Sequence, residues 1–203
     1  MAVFDFEHID NAKLVGLAGT LNAGKDTAAN HLVQRHSFMH VSTGDVLRAE
    51  ANKHGLEPDR NTLIDIGVRL RQEYGSQGAL IIMAIEKWQA KREEYMGGLV
   101  VSGMRAIGEA EEIPTRHGKL IFVDAPIETR YARMIARQRD AEATKAFDEF
   151  AAHDQIEFEG VPDDPTRPNL SAIKSISHKV ILNDRNDTEL LFSNLDRTVG
   201  LGH

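Results

Sequence analysis

The sequence contains no cysteine, a single tryptophan and no long apolar run. The absence of cysteine excludes disulfide bonds and thiol catalysis. Because no apolar stretch approaches the roughly 20 residues that a membrane-spanning helix needs, we expect no membrane partner. The first residues are acidic and do not have the pattern of a secretory signal. These absences together favour a cytoplasmic protein.

The sequence also has fewer basic than acidic residues, with 24 Lys and Arg and 31 Asp and Glu, so its net charge is -7. This excess of acid argues against general nucleic-acid binding, which needs a basic surface. The 203 residues suffice for one domain with a substantial core, so we predict a single domain over residues 1–203. The sequence leaves the oligomeric state open.

The most informative stretch is a glycine-bounded loop with a lysine, between an apolar run and a helical pattern. Gly19, Gly24 and Lys25 meet the Gly-x4-Gly-Lys spacing of a P-loop. Glycine lets phosphate oxygens approach the backbone, and the N–H groups and helix N-terminus that follow favour an anion. We predict that this loop binds ATP, although a plain strand-to-helix turn is the alternative. The predicted nucleotide-binding residues here are Gly19, Leu21, Asn22, Ala23, Gly24, Lys25, Asp26 and Thr27.

One position in this loop departs from the usual pattern. Ser or Thr normally follows the lysine and holds magnesium, whereas this chain has Asp26 and then Thr27. Carboxylate oxygen suits Mg²⁺, so we predict a magnesium site at these two residues. The alternative is that Asp26 only begins the helix. The nine histidines, His31, His36 and His40 included, show no spacing typical of metal ligands, so no further metal is expected.

Apolar runs of strand length alternate with helical patterns along the chain. This alternation predicts an α/β fold, with a five-stranded parallel sheet covered by helices on both faces. Ligands of such sheets bind at the carboxyl ends of the strands, so the residues just after each strand are the candidates for a site. The predicted strands are 13–18, 38–41, 99–102, 120–123 and 179–182, and one of the predicted helices spans 77–94.

The segment after the second predicted strand reads Ser-Thr-Gly-Asp-Val-Leu-Arg, from Ser42 to Arg48. It resembles the acceptor-side motif of adenylate kinase and its relatives. The resemblance implies that Thr43, Gly44 and Asp45 border an acceptor and that Arg48 binds its anionic group. Guanidinium matches phosphate bidentately, which suits that role. A helix N-cap followed by a solvated arginine is the alternative.

Two more segments resemble P-loop kinases related to adenylate kinase and dephospho-CoA kinase. One is Arg-Leu-Arg-Gln-Glu-Tyr-Gly at 69–75, and the other is Ser-Gly-Met-Arg at 102–105. In the second, Ser102 stands where that group has an acid, and we expect Asp26 to compensate for it. The resemblance implies further substrate-binding residues at Arg69, Arg71, Gly103 and Arg105.

The last two segments of this kind lie in the C-terminal half. The segment 123–133 resembles the approach to a lid whose arginines close over the transferred phosphoryl group, which implies catalytic roles for Arg133 and Arg137. These two are four residues apart and share a helix face. A solvated basic face is the alternative. Asn183 and Asp184 resemble the start of an Asn-Asp-Gly loop beside the donor adenine, which implies nucleotide binding, and a plain turn is the alternative.

Taken together, the resemblance is to the P-loop nucleoside monophosphate kinase superfamily. It implies a kinase that uses ATP and Mg²⁺ to phosphorylate a nucleotide-like acceptor, with an acceptor-binding region at 44–95 and a lid at 137–168. AMP, a deoxynucleoside monophosphate and dephospho-CoA all suit these motifs. A dephospho-CoA kinase-like enzyme and a regulatory P-loop ATPase without a small-molecule acceptor remain alternatives. The implied catalytic residues are Lys25, Arg105, Arg133 and Arg137.

Overall fold

The computed structural model describes residues 13–136, 146–160, 168–185 and 187–202. Its strands form one parallel sheet in the order β2-β3-β1-β4-β5. The predicted five-stranded parallel sheet is therefore confirmed. The strands are β1 (Lys13–Gly19), β2 (Phe38–Ser42), β3 (Gly98–Ser102), β4 (Lys119–Asp124) and β5 (Lys179–Leu182).

Helices cover both faces of this sheet. Leu14 and Phe122 belong to a core that the sheet shares with α4, α5 and α8, whereas Val15 and Ile121 face a second core built with α1 and α9. Successive strand residues point to opposite faces, so a sheet covered on both sides needs continuous apolar strands. The helices are α1 (Lys25–His36), α2 (Thr43–Lys53), α3 (Arg60–Tyr74), α4 (Ala79–Gln89), α5 (Ile107–Thr115), α6 (Ile127–Ala136), α7 (Phe147–Glu159), α8 (Leu170–Ile176) and α9 (Thr188–Val199).

A third apolar cluster joins α2, α3 and α4, within the predicted acceptor-binding region. Ala51 of α2, Ile66 and Leu70 of α3, and Leu80 of α4 are its buried members. Because α4 also packs on the sheet through Ile85 and its neighbours, this cluster is attached directly to the main core.

The helix predicted over 77–94 is too long, because α4 ends at Gln89. Beyond it, Lys91, Glu94 and Tyr95 donate backbone hydrogen bonds three residues back along the chain, which gives turns instead of helix. The Trp88 indole also donates to the carbonyl oxygen of Tyr95 at 3.1 Å. The helical pattern predicts further turns of helix after Gln89. In the structure the chain turns back towards β3 instead. Among the described residues, none of the helices has the length and apolarity needed to cross a membrane.

Helix α7 lies within the predicted lid and is joined to the core by two ion pairs. Asp154 accepts two hydrogen bonds from the Arg130 guanidinium of α6, at 2.5 and 2.8 Å, and both side chains are largely buried. Glu157 accepts from Arg105 at 2.5 Å. Arg130 also donates to the carbonyl oxygen of Ala125, so its position is fixed from both sides. The remainder of the predicted lid at 137–145 and 161–167, Arg137 included, falls outside the described residues.

We expect Asp154→Asn to lower the free energy of unfolding by about 3 kcal/mol, because removing one partner of a buried ion pair costs roughly 3–5 kcal/mol. Urea denaturation followed by circular dichroism measures this loss. Glu149→Gln on the exposed side of the same helix is the matched control, with an expected change of less than about 0.5 kcal/mol. Equal losses in the two variants would contradict an anchoring role for Arg130 and Asp154.

Candidate active site

The loop between β1 and α1 is held by two glycines that no other residue can replace without displacing a neighbour. Gly19 has φ +140°, and a Cβ there would overlap the carbonyl oxygen of Val123 on β4. Gly24 has φ +109°, and a Cβ there would overlap the Asn183 side-chain amide. Both positions lie in the half of φ space that favours glycine. The loop therefore lies directly against β4 and against the segment that follows β5.

The Lys25 side chain folds over the end of β1. Its ammonium donates to the carbonyl oxygens of Gly19 at 2.9 Å and Thr20 at 2.6 Å. Removal of this group from water lowers the pKa of Lys25 to about 8, although the charge of Asp26 opposes the shift. The ammonium thus lies at the strand end from which the loop begins, where a P-loop lysine is expected.

Two side chains from other elements brace the loop from outside. Asn183 donates to the carbonyl oxygen of Ala23 at 2.7 Å. Arg133 of α6 donates to the carbonyl oxygens of Asn183 at 3.0 Å and Ala23 at 3.4 Å. Arg133 therefore joins the loop to the segment after β5, and its catalytic role stays a prediction, as does nucleotide binding by Asn183 and the exposed Asp184.

Strand β4 ends at an acid, Asp124, which the sequence marks as a candidate only by its place at a strand end. Thr20 donates to Asp124 at 3.0 Å, and the Lys174 ammonium of α8 donates to its other carboxylate oxygen at 2.8 Å. Partial burial alone would raise the pKa of Asp124, but these hydrogen bonds hold it below its usual value. Asp124 is therefore an ionised carboxylate that fixes the start of the loop.

A neutral pair lies at the end of β3, where the resemblance implies an acid. The hydroxyl of Ser102 lies 2.8 Å from Nε2 of His40 on β2. Burial lowers the pKa of His40, against the opposing charges of Asp26 and Asp45. The imidazole is therefore uncharged at neutral pH. The acid that is missing at Ser102 has its nearest counterpart in Asp26, which directly follows the loop lysine in the sequence.

Two adjoining cavities open at the carboxyl ends of the strands. The first has a volume of about 450 Å³ and is lined by the loop. The second has a volume of about 650 Å³ and is lined by residues of α2 and α3. Both are lined by Arg48 and Arg105, so the two spaces meet at a pair of guanidinium groups. The other residues common to both are Leu21, Gly103, Met134 and Glu157.

Each of these two arginines is paired with a carboxylate. Arg48 contacts Asp45 at 2.6 Å, and about half of its side chain is exposed. Arg105 contacts Glu157 at 2.5 Å and is also about half exposed. The Arg48–Asp45 pair is exposed on both sides and contributes little to stability, so a stronger anion can replace Asp45 at modest cost. Glu157 is largely buried, so an anion at Arg105 has to compensate for the contact that Glu157 loses.

The second cavity has mainly apolar walls with one buried ion pair. Its apolar side chains include Leu47, Leu63 and Val68. Arg71 donates to Glu109 at 3.1 Å, and both are largely buried. Burial raises the pKa of Glu109, and the charge of Arg71 opposes that rise. The Nε atom of Arg71 is buried without a hydrogen-bond partner in the described part of the chain, so a ligand with an acceptor atom could bind there.

Most of the predicted site residues come together around these cavities. From the loop these are Gly19, Leu21, Asn22, Gly24, Lys25 and Asp26, and from the predicted acceptor side they are Thr43, Gly44, Arg48, Arg71, Gly103 and Arg105. Thr27, Asp45 and Arg69 line neither cavity, and Arg69 instead pairs with Glu50 at 3.1 Å. The roles of all these residues stay predictions.

The sequence missed two acids beside the site, Glu109 and Glu157. Asp124 directly follows the predicted strand 120–123, so its position makes it a candidate, although the sequence assigns it no role. Glu109 and Glu157 lie in acidic helical segments that resemble solvated surface, and only the fold shows that their side chains are buried.

The first cavity suits the triphosphate of ATP. Its lining carries the three cations Lys25, Arg48 and Arg105, and the carboxylate of Asp26 offers the oxygen ligand that magnesium prefers. P-loop kinase folds generally bind ATP and Mg²⁺.

Comparison with known proteins is consistent with this geometry. A family model described as an AAA domain matches residues 15–149, more than half of the chain. A UPF0200 protein of Pyrobaculum aerophilum is 29% identical over 180 residues, which cover 88% of this chain and 91% of that protein. A UPF0200 protein of Thermococcus kodakarensis is 30% identical over 142 residues, 67% of this chain and 75% of that protein.

The structural likeness concerns the fold. Shikimate kinase from Bacteroides thetaiotaomicron superposes with a TM-score of 0.51 at 16% identity, over 91% of this chain and 95% of that one. The predicted P-loop kinase fold is confirmed. The chain belongs to the AAA domain and UPF0200 families, within the P-loop nucleoside monophosphate kinase-like superfamily.

Proposed function

We propose that this protein is an ATP- and magnesium-dependent kinase that transfers the γ-phosphoryl group to a nucleoside monophosphate or a similar nucleotide-like acceptor. The observation that carries the proposal is the pair of adjoining cavities, which share Arg48 and Arg105. A hydrolase needs room for a nucleotide and a water molecule only. A second cavity of about 650 Å³ supports an additional organic ligand.

On the donor side, the loop N–H groups and the Lys25 ammonium would bind the β- and γ-phosphates. Asp26 and Thr27 are the residues that would hold magnesium, which supplies positive charge to the phosphate oxygens when it is bound. Asn183 would border the donor base, since it already closes the outer side of the loop.

On the acceptor side, the two ends of the second cavity differ in charge. Arg48 and Arg105 would bind the acceptor phosphate and aim it at the donor. Glu109 is paired with Arg71, so that end of the cavity carries little net charge, and the acceptor would enter with its uncharged end towards this pair. The apolar walls favour a flat ring at this end.

Phosphoryl transfer to such an acceptor depends on position and charge. A phosphate acceptor is already ionised at neutral pH, because its second pKa is about 6, so no side chain has to remove a proton from it. Lys25, Arg48 and Arg105 would stabilise the charge that spreads over the transferring oxygens. Closure of the lid would exclude water.

The decisive experiment is ATP turnover with Mg²⁺ against a panel of nucleoside monophosphates, nucleosides and dephospho-CoA, with identification of the phosphorylated product. We expect one monophosphate to be converted much faster than water. Transfer to dephospho-CoA alone would identify the dephospho-CoA kinase-like alternative. Hydrolysis without transfer to any member would overturn the kinase proposal and favour a regulatory ATPase.

A second prediction compares two of the arginines that the resemblance assigns to the acceptor side. Arg105→Ala should lower kcat/KM for the acceptor roughly 10- to 100-fold, since a hydrogen bond to a charged group contributes about 1.5–3 kcal/mol. Arg69→Ala is the matched control, because Arg69 lines neither cavity and should change kcat/KM less than about threefold. An equal effect of the two substitutions would contradict the assignment of Arg105.

The lowered pKa of Lys25 makes nucleotide binding depend on pH. Above pH 8 the free protein has lost much of the ammonium charge, and bound phosphates restore it. Affinity for ATP should therefore fall about tenfold between pH 7 and pH 9, with proton uptake on binding at pH 9. Calorimetry in buffers of different ionisation enthalpy measures that uptake.

Lys25→Arg is the control for this prediction, because arginine keeps its charge throughout the range. The variant should bind without proton uptake at pH 9. Equal uptake in both proteins would assign the proton to another group and contradict the role of Lys25.

A further inference from the structure

The fold brings together two histidines and an aspartate that are far apart in the sequence. His31 and His36 lie on the C-terminal half of α1, and Asp196 lies on α9. Their ligand atoms all lie within 4.8 Å of one another. The sequence predicts no such set, because the aspartate follows His31 by 165 residues.

One carboxylate oxygen faces both imidazoles. The Oδ1 atom of Asp196 lies 2.9 Å from Nε2 of His31 and 3.2 Å from Nε2 of His36. Ligands at about 2.0–2.1 Å around a tetrahedral zinc ion are roughly 3.3 Å apart, so small movements would let these atoms coordinate one ion.

The orientation of the two rings is also compatible with a shared ion. The ring centroids of His31 and His36 are 5.4 Å apart, and their planes are inclined by 73°. Two imidazoles bound through Nε2 to one tetrahedral zinc ion have centroids about 5 Å apart. His31 is further fixed by stacking on Phe192 of α9, at 4.1 Å between centroids and 7° between planes.

The chemistry of the three ligands selects the class of metal. Two imidazole nitrogens and one carboxylate oxygen suit Zn²⁺ and its neighbours in the first transition row, whereas Mg²⁺ prefers oxygen alone. His31 and Asp196 are about nine-tenths buried, and His36 is about one-fifth exposed. An ion could therefore enter beside His36 and keep a fourth position for water.

We propose that His31, His36 and Asp196 form a zinc-class metal site that fastens α1 to α9. Both helices begin at the candidate active site, α1 at the loop lysine and α9 just after the Asn183 segment. The metal site lies towards their other ends and takes no part in the proposed phosphoryl transfer. A metal there would fix the angle between the two helices that carry the nucleotide-binding loops.

The test is titration of the full, chelator-treated chain with ZnCl₂ by calorimetry, together with Co²⁺ as a spectroscopic probe. We expect one equivalent of zinc at micromolar affinity or better, a raised midpoint of thermal unfolding, and visible absorption typical of four-coordinate cobalt. His36→Gln should weaken zinc binding by more than the roughly 10- to 100-fold that loss of an outer-shell partner costs. His36 is the least buried ligand, so this variant should keep the native circular dichroism.

His54→Gln is the matched control, because His54 also contacts a carboxylate, that of Glu50 at 2.9 Å, but is partly exposed and lies just after the end of α2. It should change zinc affinity less than twofold. A dissociation constant weaker than about 100 µM for the natural chain would overturn the proposal, since it is at least two orders of magnitude weaker than the affinity expected of the site. Equal affinities of the natural chain and the folded His36→Gln variant would overturn it as well.

Discussion

Two close approaches of the backbone hold the loop between β1 and α1, and the remainder of the site depends on them. Gly19 lies under the Val123 carbonyl of β4, and Gly24 lies against the Asn183 amide. Because neither gap has room for a Cβ, the loop is fixed by the sheet on one side and by the segment after β5 on the other. Asn183 and Arg133 then hold its outer carbonyl groups. The loop is thus preorganised by its neighbours before any ligand is considered.

This preorganised loop collects positive charge, and the protein balances that charge with its own oxygen atoms. Lys25 donates to two backbone carbonyls, Arg105 to Glu157, and Arg130 to Asp154. The affinity of an anionic ligand is therefore the difference between its contacts and the contacts that it displaces. The ion pairs differ in burial: Arg105 is half exposed, while Arg130 is almost fully buried. An anion at Arg105 would release one link to α7 and leave the stronger one intact.

The local parts of this structure could be predicted from the sequence, because local patterns determine them. The strands are apolar runs, and the P-loop has a fixed spacing, so the sheet, its parallel sense and the position of Lys25 follow directly. The end of α4 could not be predicted in this way, since it depends on the Trp88 indole meeting a carbonyl seven residues later.

Contacts between segments that are distant in the sequence could not be predicted from it. Glu109 has no local signal for burial, and its partner Arg71 lies 38 residues away. His31 meets Asp196 only because α1 and α9 pack on the same face of the sheet. The contacts of Arg133 with the carbonyl oxygens of Ala23 and Asn183 likewise have no signal in the sequence, because they join segments that are at least 50 residues apart.

Compared with the kinases that this chain resembles, an acid and a hydroxyl have exchanged places at Asp26 and Ser102. The usual arrangement puts a hydroxyl after the loop lysine and an acid after the third strand. This chain has the acid, Asp26, after the lysine and the hydroxyl, Ser102, after the strand. His40 relates the two positions: its Nε2 lies 2.8 Å from the Ser102 hydroxyl, and the charge of Asp26 opposes the lowering of its pKa. The proposed magnesium site at Asp26 and Thr27 therefore takes its carboxylate from the loop, where the usual arrangement takes it from the end of the third strand.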